Sequence, residues 1–295
     1  MKRSNSRQAG FSLPELVIVI VISGIVAAIL APVVTRPFQG FIDLSRRATL
    51  VYSAENALRR MQRDIRRSLP NSIRVNALGT AMELISTVEG ARYRAMPPPG
   101  NPDRRLTFNN LDTDFDILGN FLPTTFANAG NITRVAVYNI GAVNAAGVPI
   151  PGANAYAGPN AGENVITPNG MAITLTNDPV NANEDHVSMA GGFNFSFESP
   201  SQRMYLVDTA VIYECRNDLL IRHSNYNFTN DTIPTAPGGT QAIMADNLAP
   251  GACTFTYNPG TSQRAGVVTL DLSVTDGQFG EVLRLLHQVH VSNAP

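Results

Sequence analysis

Between Leu16 and Val34 no side chain carries a charge, and that uninterrupted run constrains the chain more than any other feature. From Phe11 to Val34 there are 24 residues. Wound as a helix at ~1.5 Å per residue they extend about 36 Å, enough for a bilayer core of about 30 Å. Residues 1–10 ahead of the run carry Lys2, Arg3 and Arg7 and no acid. A basic flank of this kind stays cytoplasmic, so the rest of the chain is expected on the far side of the membrane. A secretory signal has a short apolar core and a small-residue cleavage site. Here the run is long, and Ala31-Pro32 ends it poorly. A plain anchor fits the length. It leaves unexplained a Gly10-Phe11 junction on the cytoplasmic side and an acid, Glu15, at the start of the run.

Those two features carry a family resemblance. The stretch Gly10-Phe11-Ser12-Leu13-Pro14-Glu15-Leu16 resembles the type IV prepilin cleavage and methylation signal. The resemblance implies that a prepilin peptidase/methyltransferase cuts between Gly10 and Phe11 and methylates the new Phe11 amine. It also implies that Glu15 meets the Phe11 amine of a neighbouring subunit. The chemistry is coherent: a free α-amine has a pKa of about 7.7–8.0 and keeps its charge when methylated. A carboxylate enclosed among packed helices needs a cation or a proton. Such a pair would set helix register more than it adds stability. Gly24 and Pro32 fall where such pilins loosen or kink the helix. Pro14 is tolerable because the first helical N–H groups have no intrahelical acceptor. Pro32 removes a donor to Ala28 and is expected to kink or open the helix, with Pro37 and Gly40 extending the weak zone.

A second helical pattern runs from Asp43 to about Leu69. From Val51 the apolar residues Ala54, Leu58, Met61 and Ile65 follow at steps of three and four, making one face. Arg59, Arg60, Arg63, Arg66 and Arg67 fill the other, and Leu69-Pro70-Asn71 is a stop signal. A solvated arginine face, with stems lying over the folded domain, is the expected reading. No nucleic-acid partner is expected. The net charge is −1, and no aromatic residues interleave with the basic ones.

Beyond residue 71 the period becomes two. Strands are predicted at Ala81–Val88, Arg134–Ile140, Met171–Thr176, Phe193–Phe197, Tyr205–Arg216, Leu219–His223, Cys253–Tyr257, Gly266–Thr275 and Glu281–Val291. Residues 97–130 and 141–170 are expected to be long loops or insertions. The fold class is therefore α+β: a long N-terminal helical stem packed on a C-terminal antiparallel β domain with long loops. The expected divisions are a cleaved leader (1–10), a membrane and assembly helix (11–35), an amphipathic continuation (36–70) and a β-rich domain (71–295), with a possible subdivision near 178–202. The segments Tyr205–Asp208, Val211–Cys215, Leu219–Arg222 and Leu285–Asn293 resemble the strand series of the larger minor pilins. The resemblance extends to PilW-like and MSHA-type minor pilins and to the J-type pseudopilins of type II secretion.

Two cysteines in an exported domain favour a disulfide between Cys215 and Cys253 over two buried thiols. On loop entropy alone it would add roughly 4 kcal/mol. Asp112, Asp114 and Asp116 resemble the start of a calcium loop. Ile117 stands where that loop needs glycine and Pro123 where it needs glutamate, so a solvated acidic turn is expected instead. His287 and His290 fall on opposite faces of a strand and make a poor metal pair; His186 and His223 read as ordinary polar positions. No nucleophile elbow, phosphate loop or dinucleotide fingerprint occurs, so neither an enzyme nor a cofactor is expected. The resemblance implies a minor pilin, anchored by one helix in the bacterial inner membrane with its C-terminal domain periplasmic, and later carried on the pilus surface. Its implied partners are other major and minor pilins and the inner-membrane assembly platform. A tip adhesin binding through loops 97–200 and a secretion pseudopilin are the alternatives.

Overall fold

The structure, a computed structural model, describes residues 12–97, 104–228, 231–260, 264–276 and 280–293, apart from the side chains of residues 32, 34–39 and 252. The chain divides into two compact units, residues 1–50 and 51–295, and one helix, α1 (Leu13–Arg66), contributes to both.

Within the first unit, Leu13–Ala31 has a mean hydropathy of 2.7 and none of it is buried. Its 19 residues rise about 28 Å at ~1.5 Å each, close to the thickness of a bilayer core. Pro14 sits in the first turn, where a missing N–H breaks no helical bond. Where a kink or opening is expected at Pro32, α1 does not end: it continues across Pro32, Pro37 and Gly40. A proline deletes one donor, and the flanking turns still bridge the gap.

Within the second unit, the last turns of α1 bury Ala54, Ala57, Leu58, Met61 and Ile65, as the three-four spacing requires. Arg59, Arg60, Arg63, Arg66 and Arg67 are exposed. The helix stops at Arg66, three residues before the expected end. There the sheet captures the backbone, with Leu69 N–H donating to the Ile85 carbonyl at 2.8 Å and Thr87 N–H to the Arg67 carbonyl at 3.0 Å.

Thirteen strands follow among the described residues. They are β1 (Arg74–Val75), β2 (Ala81–Arg92), β3 (Asp112–Ile117), β4 (Arg134–Val137), β5 (Glu163–Asn164), β6 (Ile173–Asn177), β7 (Asp185–Phe195), β8 (Arg203–Arg216), β9 (Leu219–Ser224), β10 (Thr240–Ala245), β11 (Leu248–Asn258), β12 (Gly266–Thr275) and β13 (Val282–Val291). A short helix, α2 (Pro123–Ala127), lies between β3 and β4. The principal sheet has the order β1-β2-β8-β9-β10. Its longest strand, β8, pairs with β2 along one edge. On the other edge β4 takes Met204–Val207 and β9 takes Val211–Arg216, end to end. A second sheet is β11-β12-β13, and a third groups β3, β5 and β6 around β7. All pairings except β5 with β7 are antiparallel.

The core explains why β4 reads Arg-Val-Ala-Val without polar alternation. Val135 and Val137 pack in a cluster with Phe115, Val187, Phe195 and Met204. Ala136 faces the other way, into a cluster with Ile85, Tyr156, Val207 and Ile212. A strand buried on both faces is apolar throughout.

Residues 97–130 are not one long loop, because they contain β3 and α2. Three aspartates hid that strand from a hydrophobicity pattern, and its pairing with β7 reveals it. The Asn76–Thr80 turn closes β1 on β2. Asn76 Oδ1 accepts from the N–H groups of Thr80 and Ala81. Gly79 has a φ of +71°, and a Cβ there would stand 3.1 Å from the Phe255 carbonyl oxygen, so the turn can lie against β11 only as glycine.

Candidate assembly interface and the polar sites of the β-rich unit

Glu15 lies in the first turn of α1, where the helix dipole favours a negative charge. Ser12 Oγ donates to Glu15 Oε2 at 3.4 Å, and both groups are exposed. From here to Ala31 every side chain faces outward from the unit, including Val17, Ile20, Ile25 and Ile29, each about half exposed or more. Gly24 has no heavy atom within 4 Å of where a Cβ would stand. An apolar surface of this extent needs lipid or other helices around it. Gly10 and Phe11, where the sequence places cleavage, methylation and one half of the charge pair, lie outside the described residues.

The sequence reading missed Asp64, which ties the end of α1 to the principal sheet. Tyr213 Oη donates to Asp64 Oδ2 at 2.7 Å and Arg222 Nε donates to the same oxygen at 2.9 Å. Arg60 reaches Oδ1 at 3.4 Å. Burial, reinforced by the Asp64 carboxylate, pushes the Tyr213 phenol well above its usual range. No periodicity singles out Asp64, because its partners are 149 and 158 residues away.

Glu83, on β2, is fully buried. Arg74 Nε donates to its Oε2 and Tyr226 Oη to its Oε1, each at 2.6 Å. The Arg74 guanidinium lies 3.8 Å from the Tyr156 ring centroid. Burial outweighs these partners and raises the pKa of Glu83. The cluster closes the space between β1, β2 and the 156 and 226 loops.

The three aspartates of the expected acidic turn stand on β3; Asp114 and Asp116 flank His186, with Asp114 Oδ1 3.6 Å from its Nε2, while Asp112 turns to Thr107. Asp112 Oδ2 accepts from Thr107 N–H and Oγ1, at 2.6 and 2.9 Å. Asp114 accepts from Thr113 Oγ1. Asp116 is buried, its Oδ1 lying 3.0 Å from Arg104 Nη1 and 2.7 Å from His186 Nδ1. A different trio, Asp116, Asp178 and Glu184, brings carboxylate oxygens within 4.8 Å of one another, a spacing that could hold a metal ion. Two guanidiniums already supply the charge there. Arg104 Nη1 also contacts Asp178 at 3.0 Å, and Arg94 grips both oxygens of Glu184. His186 is thus part of an ion-pair network and not an isolated polar position. His223 Nε2 similarly lies 3.3 Å from Glu214 Oε2. His287 and His290 fall on opposite faces of β13, His290 exposed and His287 half-buried.

Cys215 and Cys253 form a disulfide. It links the end of β8 to β11 and so ties the principal sheet to the β11-β12-β13 sheet, beside the main-chain bond from Cys215 N–H to the Thr80 carbonyl.

Over residues 5–31 the chain matches the family described as Prokaryotic N-terminal methylation motif. This motif is a type IV pilin-like prepilin signal. No curated protein and no solved structure matches the chain.

Proposed function

We propose that this chain is a minor pilin: a structural, non-enzymatic subunit of a type IV pilus, acting in assembly at the tip or initiation complex. The observation that carries the reading is the coincidence of the methylation motif over residues 5–31 with the exposed apolar helix Leu13–Ala31. Prepilin peptidase removes residues 1–10 and the Phe11 amine is methylated. The subunit then waits in the inner membrane until its helix leaves lipid for a bundle of sister helices. In that bundle water is scarce, and Glu15 is satisfied by the Phe11 amine of a neighbour. Gly24, with open space around it, and Pro32, which deletes one helical donor, are the positions where this otherwise continuous helix would yield during packing or stretching. The finer reading, an MSHA-type minor pilin, draws on the resemblance of Tyr205–Arg222 and Leu285–Asn293 to that group.

Mass spectrometry of the protein extracted from membranes tests the first step. A mature chain beginning with methylated Phe11 is expected. An intact Met1 in cells with active prepilin peptidase overturns the proposal. Substituting Glu15→Ala should leave cleavage intact and abolish incorporation into fibres; normal incorporation would remove the charge pair from the mechanism.

A further inference from the structure

Five arginines of the β-rich unit are largely withdrawn from solvent, and four have a carboxylate partner. Arg74 pairs with Glu83, Arg94 with Glu184, Arg104 with Asp116 and Asp178, and Arg222 with Asp64. The fifth and most buried, Arg134, is only 3% exposed, and its partners among the described residues are neutral. Its Nη1 donates to the Thr167 carbonyl and its Nη2 to Asn227 Oδ1, both at a long 3.3 Å. The Phe228 ring covers one face of the guanidinium, 4.3 Å from its centroid. Nε is buried with no hydrogen-bond partner. Burial, with no acid to oppose it, pushes the Arg134 pKa down to about 10.

A guanidinium withdrawn from water without a counter-charge is costly unless an anion joins it. Arg134 lines a cavity of about 300 Å³ whose other walls include Ala157, Pro159, Ile166, Pro168 and Phe193. The volume is at the small end of ligand sites. A guanidinium carries five N–H donors and suits the two oxygens of a carboxylate, and here only two donors are engaged. One cation among walls that are mostly apolar, with Asn164, Thr167 and Asn169 the polar exceptions, matches one negative charge on an apolar body. A phosphate dianion would bring excess charge into a lining with nothing to balance it.

We propose that this cavity binds a small organic monocarboxylate, its carboxylate on Arg134 and its apolar body against Ile166, Pro168 and Phe193. The site is independent of the assembly helix, so it stands or falls apart from the pilin reading.

The test uses the full chain in deuterated detergent micelles, with isoleucine methyl groups labelled and the Ile166 signal assigned by its absence in Ile166→Val. Benzoate is the probe, benzamide its neutral counterpart, and inorganic phosphate the rival anion. Benzoate should shift the Ile166 signal saturably at millimolar concentration, and benzamide and phosphate should bind at least tenfold more weakly. Arg134→Gln should weaken benzoate at least tenfold. Should that variant fail to fold, Asn169→Glu at the exposed rim provides a second arm, its negative charge weakening benzoate severalfold without disturbing the core. Three results would each overturn the site: benzamide binding as tightly as benzoate, no saturable shift at Ile166, or benzoate affinity unchanged in the folded variants.

Discussion

Substituting Asp64→Ala removes the one acceptor that serves both Tyr213 and Arg222. The Arg222 side chain is 16% exposed and that of Asp64 14%, so water cannot readily replace what is lost. Breaking such a buried pair from one side costs about 3–5 kcal/mol, since the remaining charge stays buried and unmatched. The Arg60 contact adds little, about 0.5 kcal/mol or less, because Arg60 is 45% exposed. For a domain of this size each kcal/mol moves the midpoint by about 2–4 °C, so thermal unfolding should fall by roughly 6–20 °C. Circular dichroism of the detergent-solubilised chain reads the β-rich unit's transition. A double-mutant cycle with Tyr213→Phe isolates the phenol–carboxylate bond and should return a coupling of about 1.5–3 kcal/mol. Additive single effects, or a loss below about 1 kcal/mol for Asp64→Ala, would refute the view that Asp64 pins the end of α1 to the sheet.

The disulfide closes a separation of 38 residues, which on chain entropy is worth about 4 kcal/mol. Reduction, or Cys215→Ser with Cys253→Ser, should lower the midpoint by about 8–16 °C; overlapping melts with and without reductant would contradict this. Glu83 has a folded pKa raised by burial above its ordinary 4.5, so it binds its proton more tightly folded than unfolded. Its favourable contribution is present below 4.5 and is lost as pH rises through the raised folded value. Glu83→Gln should therefore flatten stability against pH in the window between 4.5 and the raised folded value, and parallel curves for the two proteins across that window would exclude the effect.

The apolar run, the stem's buried stripe and nine of the strands were legible in the sequence because each is a local periodic pattern. The stripe Ala54-Leu58-Met61-Ile65 needs only the helical period to be read, and Gly266–Thr275 only the alternation of two. The disulfide was legible for a different reason, since two cysteines have only one pairing available to them. β10, and β3 with its three aspartates, do not announce themselves this way. The Gly10-Phe11 junction, where the sequence predicts cleavage, falls within the matched residues 5–31.

What only the tertiary structure decided is which charges meet. Asp64 finds Tyr213 and Arg222, and Asp116 finds His186 70 residues on. Among the described residues Arg134 finds no acid, and a cavity beside it instead. Burial and pairing of a charge depend on how distant strands are brought into register, and no local period encodes that. The sequence alone settled that this chain carries a helix long and apolar enough for a membrane, because that property is a sum over neighbouring residues. Its polar sites waited for the fold, because each is built from segments that only packing brings together.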